Sequence, residues 1–220
     1  VQQVIADAAA TGDRRLIGVT GTHGKSTTSG WILHILTSAG LDPSGFVGAA
    51  LPAAVAGPQR GVARIGAGRD FVVEADEYAG NFDAYQPEIA ILTSAEWDHP
   101  DVFADADAVA EAFAAWLRRT PDGAILVANA GDPGVESVLE RLWGRPLATV
   151  RYAVVEAWAD GVGLGADITG RITAADAGGS FTLERWPMAH CIAAAEDAHP
   201  AFAEDPMPLR ERVAVSGWRC

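Results

Sequence analysis

A glycine-bearing loop set between an apolar run and a helical pattern limits what this chain can fold into. Leu16-Ile17-Gly18-Val19-Thr20 is short and apolar, the pattern of a strand buried in a parallel sheet. Gly21-Thr22-His23-Gly24-Lys25-Ser26-Thr27-Thr28 follows at once. From Lys25 to Ala39 the spacing is helical, with Trp31, Ile32, Ile35 and Leu36 on the expected inner side and Gly40 closing the helix. The same alternation continues downstream. Asp70 to Glu74, Ile89 to Thr93 and Ala124 to Val127 read as strands. Asp105 to Arg119, with Val109, Phe113, Trp116 and Leu117 inward, and Asp132 to Leu142 read as helices. Strands alternating with helices predict an α/β fold with a doubly wound parallel sheet.

The loop has the parts of a phosphate site. Glycines let backbone N–H groups turn inward and approach phosphate oxygens closely. A helix N-terminus adds unpaired N–H groups and the positive end of a dipole. Lys25 supplies a mobile charge for the β- and γ-phosphates, and the Ser26 hydroxyl is a ligand for Mg²⁺. The strict pattern Gly-x-x-x-x-Gly-Lys-Ser would need glycine at position 19, which is valine, so the loop is a shortened relative of it. The rival reading is a glycine-rich turn carrying a surface lysine. Composition speaks against that: of 16 basic residues, Lys25 is the single lysine.

Two further segments close apolar strands with polar side chains. Phe71-Val72-Val73-Glu74-Ala75-Asp76-Glu77 places carboxylates at a strand end, the edge where open α/β sheets bind ligands. Alternation puts Glu74 and Asp76 on one side and Glu77 on the other. Glu74 is a candidate Mg²⁺ ligand, directly or through water; the rival reading for all three is a solvated acidic strand end. Ile91-Leu92-Thr93-Ser94-Ala95-Glu96-Trp97-Asp98-His99-Pro100-Asp101 ends the next strand in the same way, with His99 as candidate metal or phosphate ligand. His34, in the helix after the loop, reads as an ordinary helix residue.

Charge narrows the function classes. The chain carries 16 basic and 29 acidic residues, a net charge of −13. A general nucleic-acid surface needs clustered positive charge, and an anionic membrane would repel such a chain. No apolar run reaches the roughly 18 residues of a membrane-spanning helix, and no secretory-signal pattern is seen. Cys191 and Cys220 make no disulfide framework, so the reducing cytoplasm is the expected compartment.

Taken together, Gly21 to Thr28, Glu74-Ala75-Asp76-Glu77-Tyr78 and Glu96-Trp97-Asp98-His99-Pro100-Asp101 resemble the Mur ligase family, in the family's order. These are ATP-dependent ligases of peptidoglycan-precursor synthesis. His23 and the Asp-His-Pro-Asp run look like the branch that joins L-alanine to UDP-N-acetylmuramate; a recycling branch that adds a whole peptide is the alternative. The resemblance implies a P-loop NTPase-type central ATP-binding domain over residues 1–185. Within it, Asp167 to Thr173 and Ser180 to Arg185 read as a small β-hairpin. Residues 186–220 are expected to be a divergent or misread tail, with one helix over 189–198. The family's amino-terminal UDP-binding domain and carboxy-terminal amino-acid domain fall outside this sequence, so a fragment is expected, inactive by itself.

The resemblance further implies that Gly21, Thr22, His23, Gly24, Lys25, Ser26 and Thr27 bind ATP. Ser26 and Glu74 would hold one Mg²⁺ and His99 a second, with Lys25, Glu74 and His99 as the catalytic set. Two departures stand out. Thr93-Ser94 replaces the family's Thr-Asn, and His190-Cys191-Ile192-Ala193-Ala194 lacks both asparagines of its adenine-side segment. Rival functions are a small-molecule kinase or other P-loop NTPase, and a nucleotide-binding remnant without turnover.

Overall fold

The computed structural model describes residues 2–11, 14–57, 61–156, 166–174 and 180–185. The tail 186–220, including the helix expected over 189–198, lies outside the described residues. In chain order the elements are α1 (Gln2–Thr11), β1 (Arg15–Thr20), α2 (Lys25–Ser38), β2 (Ser44–Leu51), α3 (Ala53–Ala56), β3 (Gly61–Arg64), β4 (Asp70–Glu74), a 3-10 segment (Tyr78–Ala84), β5 (Ile89–Leu92), α4 (Ala106–Leu117), β6 (Ile125–Asn129), α5 (Pro133–Arg141), β7 (Ala148–Glu156), β8 (Ile168–Ala174) and β9 (Ser180–Arg185).

Among the described residues, nine strands form one sheet in the order β3-β2-β4-β1-β5-β6-β7-β8-β9. The pairs from β2 to β8 are parallel, and an antiparallel pair closes each edge. The glycine loop therefore leaves the carboxyl end of β1 between the carboxyl ends of β4 and β5. β2 and β3 form in the Gly- and Ala-rich stretch after α2, where composition gives little periodicity. Beyond α5 the sheet continues without a break, with β7 in parallel register with β6. The hairpin β8–β9 extends the same sheet.

Helices cover both faces, and strand alternation sorts the two cores. Leu16, Phe71, Val73, Ala90, Leu92 and Leu126 face α1, α4 and α5. Ile17, Val19, Val72, Ile91 and Val127 face α2 and α3. Glu74 is in phase with Val72, so its side chain falls on the face of α2. The inner side of α2 differs from the expected one. Leu33 and Ser29 are fully buried, whereas Ile35 is 56% exposed. Trp31, Ile32, Leu33, Ile35 and Leu36 spread over more than half of the helix circumference, so spacing alone does not single out its buried stripe.

α4 follows its pattern: Val109, Phe113, Trp116 and Leu117 are all buried, and Asp105 caps the helix by accepting the Ala108 N–H at 2.8 Å. Trp116 stacks on Phe82 with ring centroids 5.1 Å apart. Its indole N–H donates to the carbonyls of Phe82 at 2.8 Å and Tyr85 at 3.1 Å. Gly18 leaves room for it; a Cβ there would lie 3.4 Å from the indole and 3.1 Å from Pro87. Trp116 thus pins the 3-10 segment after β4 to the core. Trp116→Ala is expected to lower stability by about 3–5 kcal/mol, read as a shift of the denaturation midpoint.

Candidate nucleotide site

The loop between β1 and α2 is held from outside by the segment after β5. Thr22 N–H donates to Ser94 O at 3.2 Å, and His23 N–H donates to Ser94 Oγ at 2.9 Å. Thr93 Oγ1 donates to the His23 carbonyl at 2.6 Å, and Thr22 Oγ1 to the Glu96 carbonyl at 2.8 Å. Asn129 of β6 supports this clamp by donating to Thr93 O at 2.9 Å. Ser94, where the resembled family has asparagine, therefore still binds the loop backbone. Gly21 is required by its conformation and by space, with φ +131° and a Cβ that would fall 2.2 Å from Thr93 Oγ1.

Gly24 stands at the N-cap of α2 in a left-handed conformation, φ +83°, and gives no side-chain cap. The first-turn N–H groups at Lys25, Ser26 and Thr27 meet no capping side chain there, which suits an anion. His23 is exposed at the rim, with Nε2 3.9 Å from Glu96 Oε2.

Lys25 folds back across its own loop. Its Nζ donates to Gly21 O at 2.8 Å, Thr22 O at 3.3 Å and Glu77 Oε2 at 2.9 Å, with Asp76 Oδ1 at 3.5 Å. Beside it, Ser26 Oγ donates to Glu74 Oε2 at 2.9 Å, and the Gly48 N–H donates to the same oxygen at 2.6 Å. The two candidate metal ligands from the loop and from β4 are thus in contact. Together they offer a hydroxyl and a carboxylate, the hard oxygen donors that Mg²⁺ takes. The strand ends at Glu74, so simple alternation does not continue: Asp76 and Glu77 both turn to Lys25.

His99 sits elsewhere on this edge. It has φ +55°, and its N–H donates to Asp98 Oδ1 at 2.7 Å. Its ring meets Tyr78 edge-on at 4.9 Å, and the Tyr78 hydroxyl donates to Asp101 Oδ2 at 2.9 Å. That bond to a carboxylate raises the Tyr78 pKa. The contacts of His99 are therefore with Asp98 and Tyr78, while Ser26 pairs with Glu74. Among the described residues, no group of three His, Cys, Asp or Glu side chains is arranged to hold a metal ion.

A cavity of about 280 Å³ adjoins the site, bounded by Glu74, Asp76, Asn81, Gly48, Phe46 and Tyr85. Burial pushes the Tyr85 phenol up to about 12. A larger cavity, about 780 Å³, lies at the opposite end of the strands against Leu16, Glu88 and Ala124, away from the loop. Spacing in the sequence gives no sign of Thr93, Ser94, Asn129 or Gly48 as supports of the site. For Thr93 and Ser94 the available hints are that they end a strand and stand where the resembled family has Thr-Asn.

Residues 19–182 match the family described as Mur ligase middle domain. A UDP-N-acetylmuramate–L-alanine ligase of Frankia alni is 45% identical over 128 residues, which is 58% of this chain and 21% of that protein. The ligase of the same name from Renibacterium salmoninarum is 42% identical over 155 residues, 69% of this chain and 32% of that protein. Among solved structures, the UDP-N-acetylmuramate:L-alanyl-gamma-D-glutamyl-meso-diaminopimelate ligase of Neisseria meningitides matches with a TM-score of 0.64 at 26% identity. The match covers 92% of this chain and 64% of that one. The UDP-N-acetylmuramate–alanine ligase of Thermotoga maritima shares the fold with a TM-score of 0.63 at 21% identity, over 94% of this chain and 46% of that one. The chain thus spans about a fifth to a third of the length of these curated relatives.

Proposed function

The chain belongs to the Mur ligase family, which it matches through the middle domain, and from that we propose that it is the ATP-binding part of a carboxylate–amine ligase joining L-alanine to UDP-N-acetylmuramate. The observation that carries this reading is the convergence of Lys25, Ser26 and Glu74 at the carboxyl ends of β1 and β4. The names of the relatives at 42–45% identity favour L-alanine as the amine.

In the proposed reaction the substrate carboxylate attacks the γ-phosphorus of ATP, and ADP leaves with the electrons of the broken P–O bond. The amine then adds to the carbonyl of the acyl phosphate. The tetrahedral intermediate loses inorganic phosphate and a proton to give the amide. The protein supplies no nucleophile; it positions groups and offsets charge. The N–H groups of Thr22 and His23 are held by Ser94, so within the loop from Gly21 to Thr27 the uncapped N–H groups at Lys25, Ser26 and Thr27 would receive the phosphates, and Lys25 offers them its ammonium. Ser26 and Glu74 would hold Mg²⁺, and His99, after the strand on the other side of β1, would serve a second. Bound there, Mg²⁺ neutralises charge on the transferring phosphoryl group. In a chain of net charge −13 such local positive charge is needed for two anionic substrates to meet. Among the described residues, no helix is long and apolar enough to cross a membrane, and the reading places the protein in the cytoplasm with its ATP.

Ligation requires carboxylate, phosphate and amine to be held together, and such positioning supplies about 7–11 kcal/mol. A chain a fifth to a third the length of its relatives is expected to bind nucleotide without forming amide. The test is mass detection of product from ATP, Mg²⁺, UDP-N-acetylmuramate and L-alanine. Two proteins are compared: the chain alone, and a three-domain relative whose middle domain is replaced by residues 19–182. The hybrid is expected to give the amide, and Lys25→Ala in the hybrid to abolish it. A stable phosphate ester formed without amine would indicate a kinase instead. Amide from the tripeptide L-alanyl-gamma-D-glutamyl-meso-diaminopimelate in preference to L-alanine would indicate the recycling reaction.

A further inference from the structure

The ammonium of Lys25 has three protons, and the protein offers an acceptor for each: Gly21 O at 2.8 Å, Thr22 O at 3.3 Å and Glu77 Oε2 at 2.9 Å. Two of these are carbonyls of the loop itself and hold the side chain across it. The third comes from a different segment, just beyond β4. Glu77 is 2% exposed, and its other oxygen, Oε1, is buried with no hydrogen-bond partner. A carboxylate so placed depends on Lys25 for most of its stabilisation. Lys25, 12% exposed, is in turn neutralised by it, with Asp76 Oδ1 also 3.5 Å away.

A phosphate arriving at the loop needs the same ammonium that Glu77 already holds. We propose that Glu77 is a positioning residue that keeps Lys25 drawn back in the nucleotide-free domain, so that phosphate must displace a buried carboxylate to obtain it. Exchanging one anionic partner for another yields little, and it leaves Glu77 buried and unpaired. Weak anions such as inorganic phosphate are therefore excluded. A polyphosphate, which also engages the loop N–H groups and carries Mg²⁺ to Ser26 and Glu74, overcomes the barrier. The loop thereby selects for charge and length of the phosphate chain. This inference rests on the nucleotide-binding reading of the same loop.

Lys25 is the single lysine of the chain, so biosynthetic labelling with ¹⁵Nζ- and ¹³Cε-lysine gives one side-chain signal to follow by NMR. In the wild type, titration with Mg²⁺-tripolyphosphate is expected to move that signal, whereas millimolar inorganic phosphate leaves it in place. In Glu77→Gln, which keeps shape and removes charge, the signal of the free protein should already be displaced. Tripolyphosphate affinity should then rise by about tenfold or more, the scale of one charge-assisted hydrogen bond, and inorganic phosphate should begin to bind. Glu77→Asp, which keeps the charge, should restore the exclusion of inorganic phosphate. If tripolyphosphate binds the wild type while the Lys25 signal stays unmoved, the inference is overturned without recourse to any variant. Weaker tripolyphosphate binding in a folded Glu77→Gln overturns it as well. If neither the wild type nor Glu77→Gln binds Mg²⁺-ATP, both the inference and the reading beneath it fall.

Discussion

Replacing Lys25 with methionine is expected to cost the domain its ligand and part of its stability. The ligand is lost because each charged hydrogen bond from the ammonium to phosphate contributes about 1.5–3 kcal/mol. Stability falls because Glu77, 2% exposed and 2.9 Å from Nζ, would remain as a buried carboxylate without its partner. Breaking a buried pair from one side costs about 3–5 kcal/mol. The two losses separate in the double variant Lys25→Met/Glu77→Gln. Removing both charges should recover most of the melting temperature but none of the nucleotide affinity. Melting curves of the two variants beside the wild type check this. If Lys25→Met alone melts with the wild type, the buried pair contributes nothing to the fold.

Gly21→Ala should be comparably severe, through geometry alone. The position has φ +131°, a region that side chains rarely enter and that costs about 1–3 kcal/mol for a residue with a Cβ. The added methyl would also stand 2.2 Å from Thr93 Oγ1 and 2.8 Å from Ser94 N, the residues that clamp the loop. The clamp must open, which moves the N–H groups at Thr22 and His23 off their partners. With the clamp open, the first-turn N–H groups at Lys25, Ser26 and Thr27 shift away from the phosphates, and nucleotide affinity is expected to drop by about 100-fold or more, the scale of about two lost phosphate contacts. Gly57→Ala is the control: it also has a positive φ, +79°, but open space around the missing Cβ, and it should change stability without touching affinity.

How far the sequence announced this molecule depends on the range of the interaction. α4 was legible because Val109, Phe113, Trp116 and Leu117 mark one stripe and Asp105 caps it, all within a few turns. In α2 the apolar arc is too broad to mark one stripe, and Leu33 took the buried position and Ile35 the exposed one. β7 was not read although most of its residues are apolar, because Thr149 and Arg151 interrupt the run; the Arg151 guanidinium pairs with Glu136 of α5. The loop, Ser26 and Glu74 could be named because strand ends and a helix start carry local signatures. The partners of those residues could not. Glu77 lies 52 residues from Lys25 and Ser94 lies 71 from His23. Only the strand order β4-β1-β5 makes them neighbours, and no local spacing encodes that order.

The loop from Gly21 to Thr27, with Ser26 and Glu74 beside it, is expected to receive a nucleotide polyphosphate together with Mg²⁺. A calorimetric titration of ATP into the chain, with and without Mg²⁺, tests it most directly. The expected result is one site per chain, tighter with Mg²⁺ than without, and no detectable binding to the folded Lys25→Met/Glu77→Gln double variant. Equal affinity for the wild type and that variant, or binding indifferent to Mg²⁺, would contradict it.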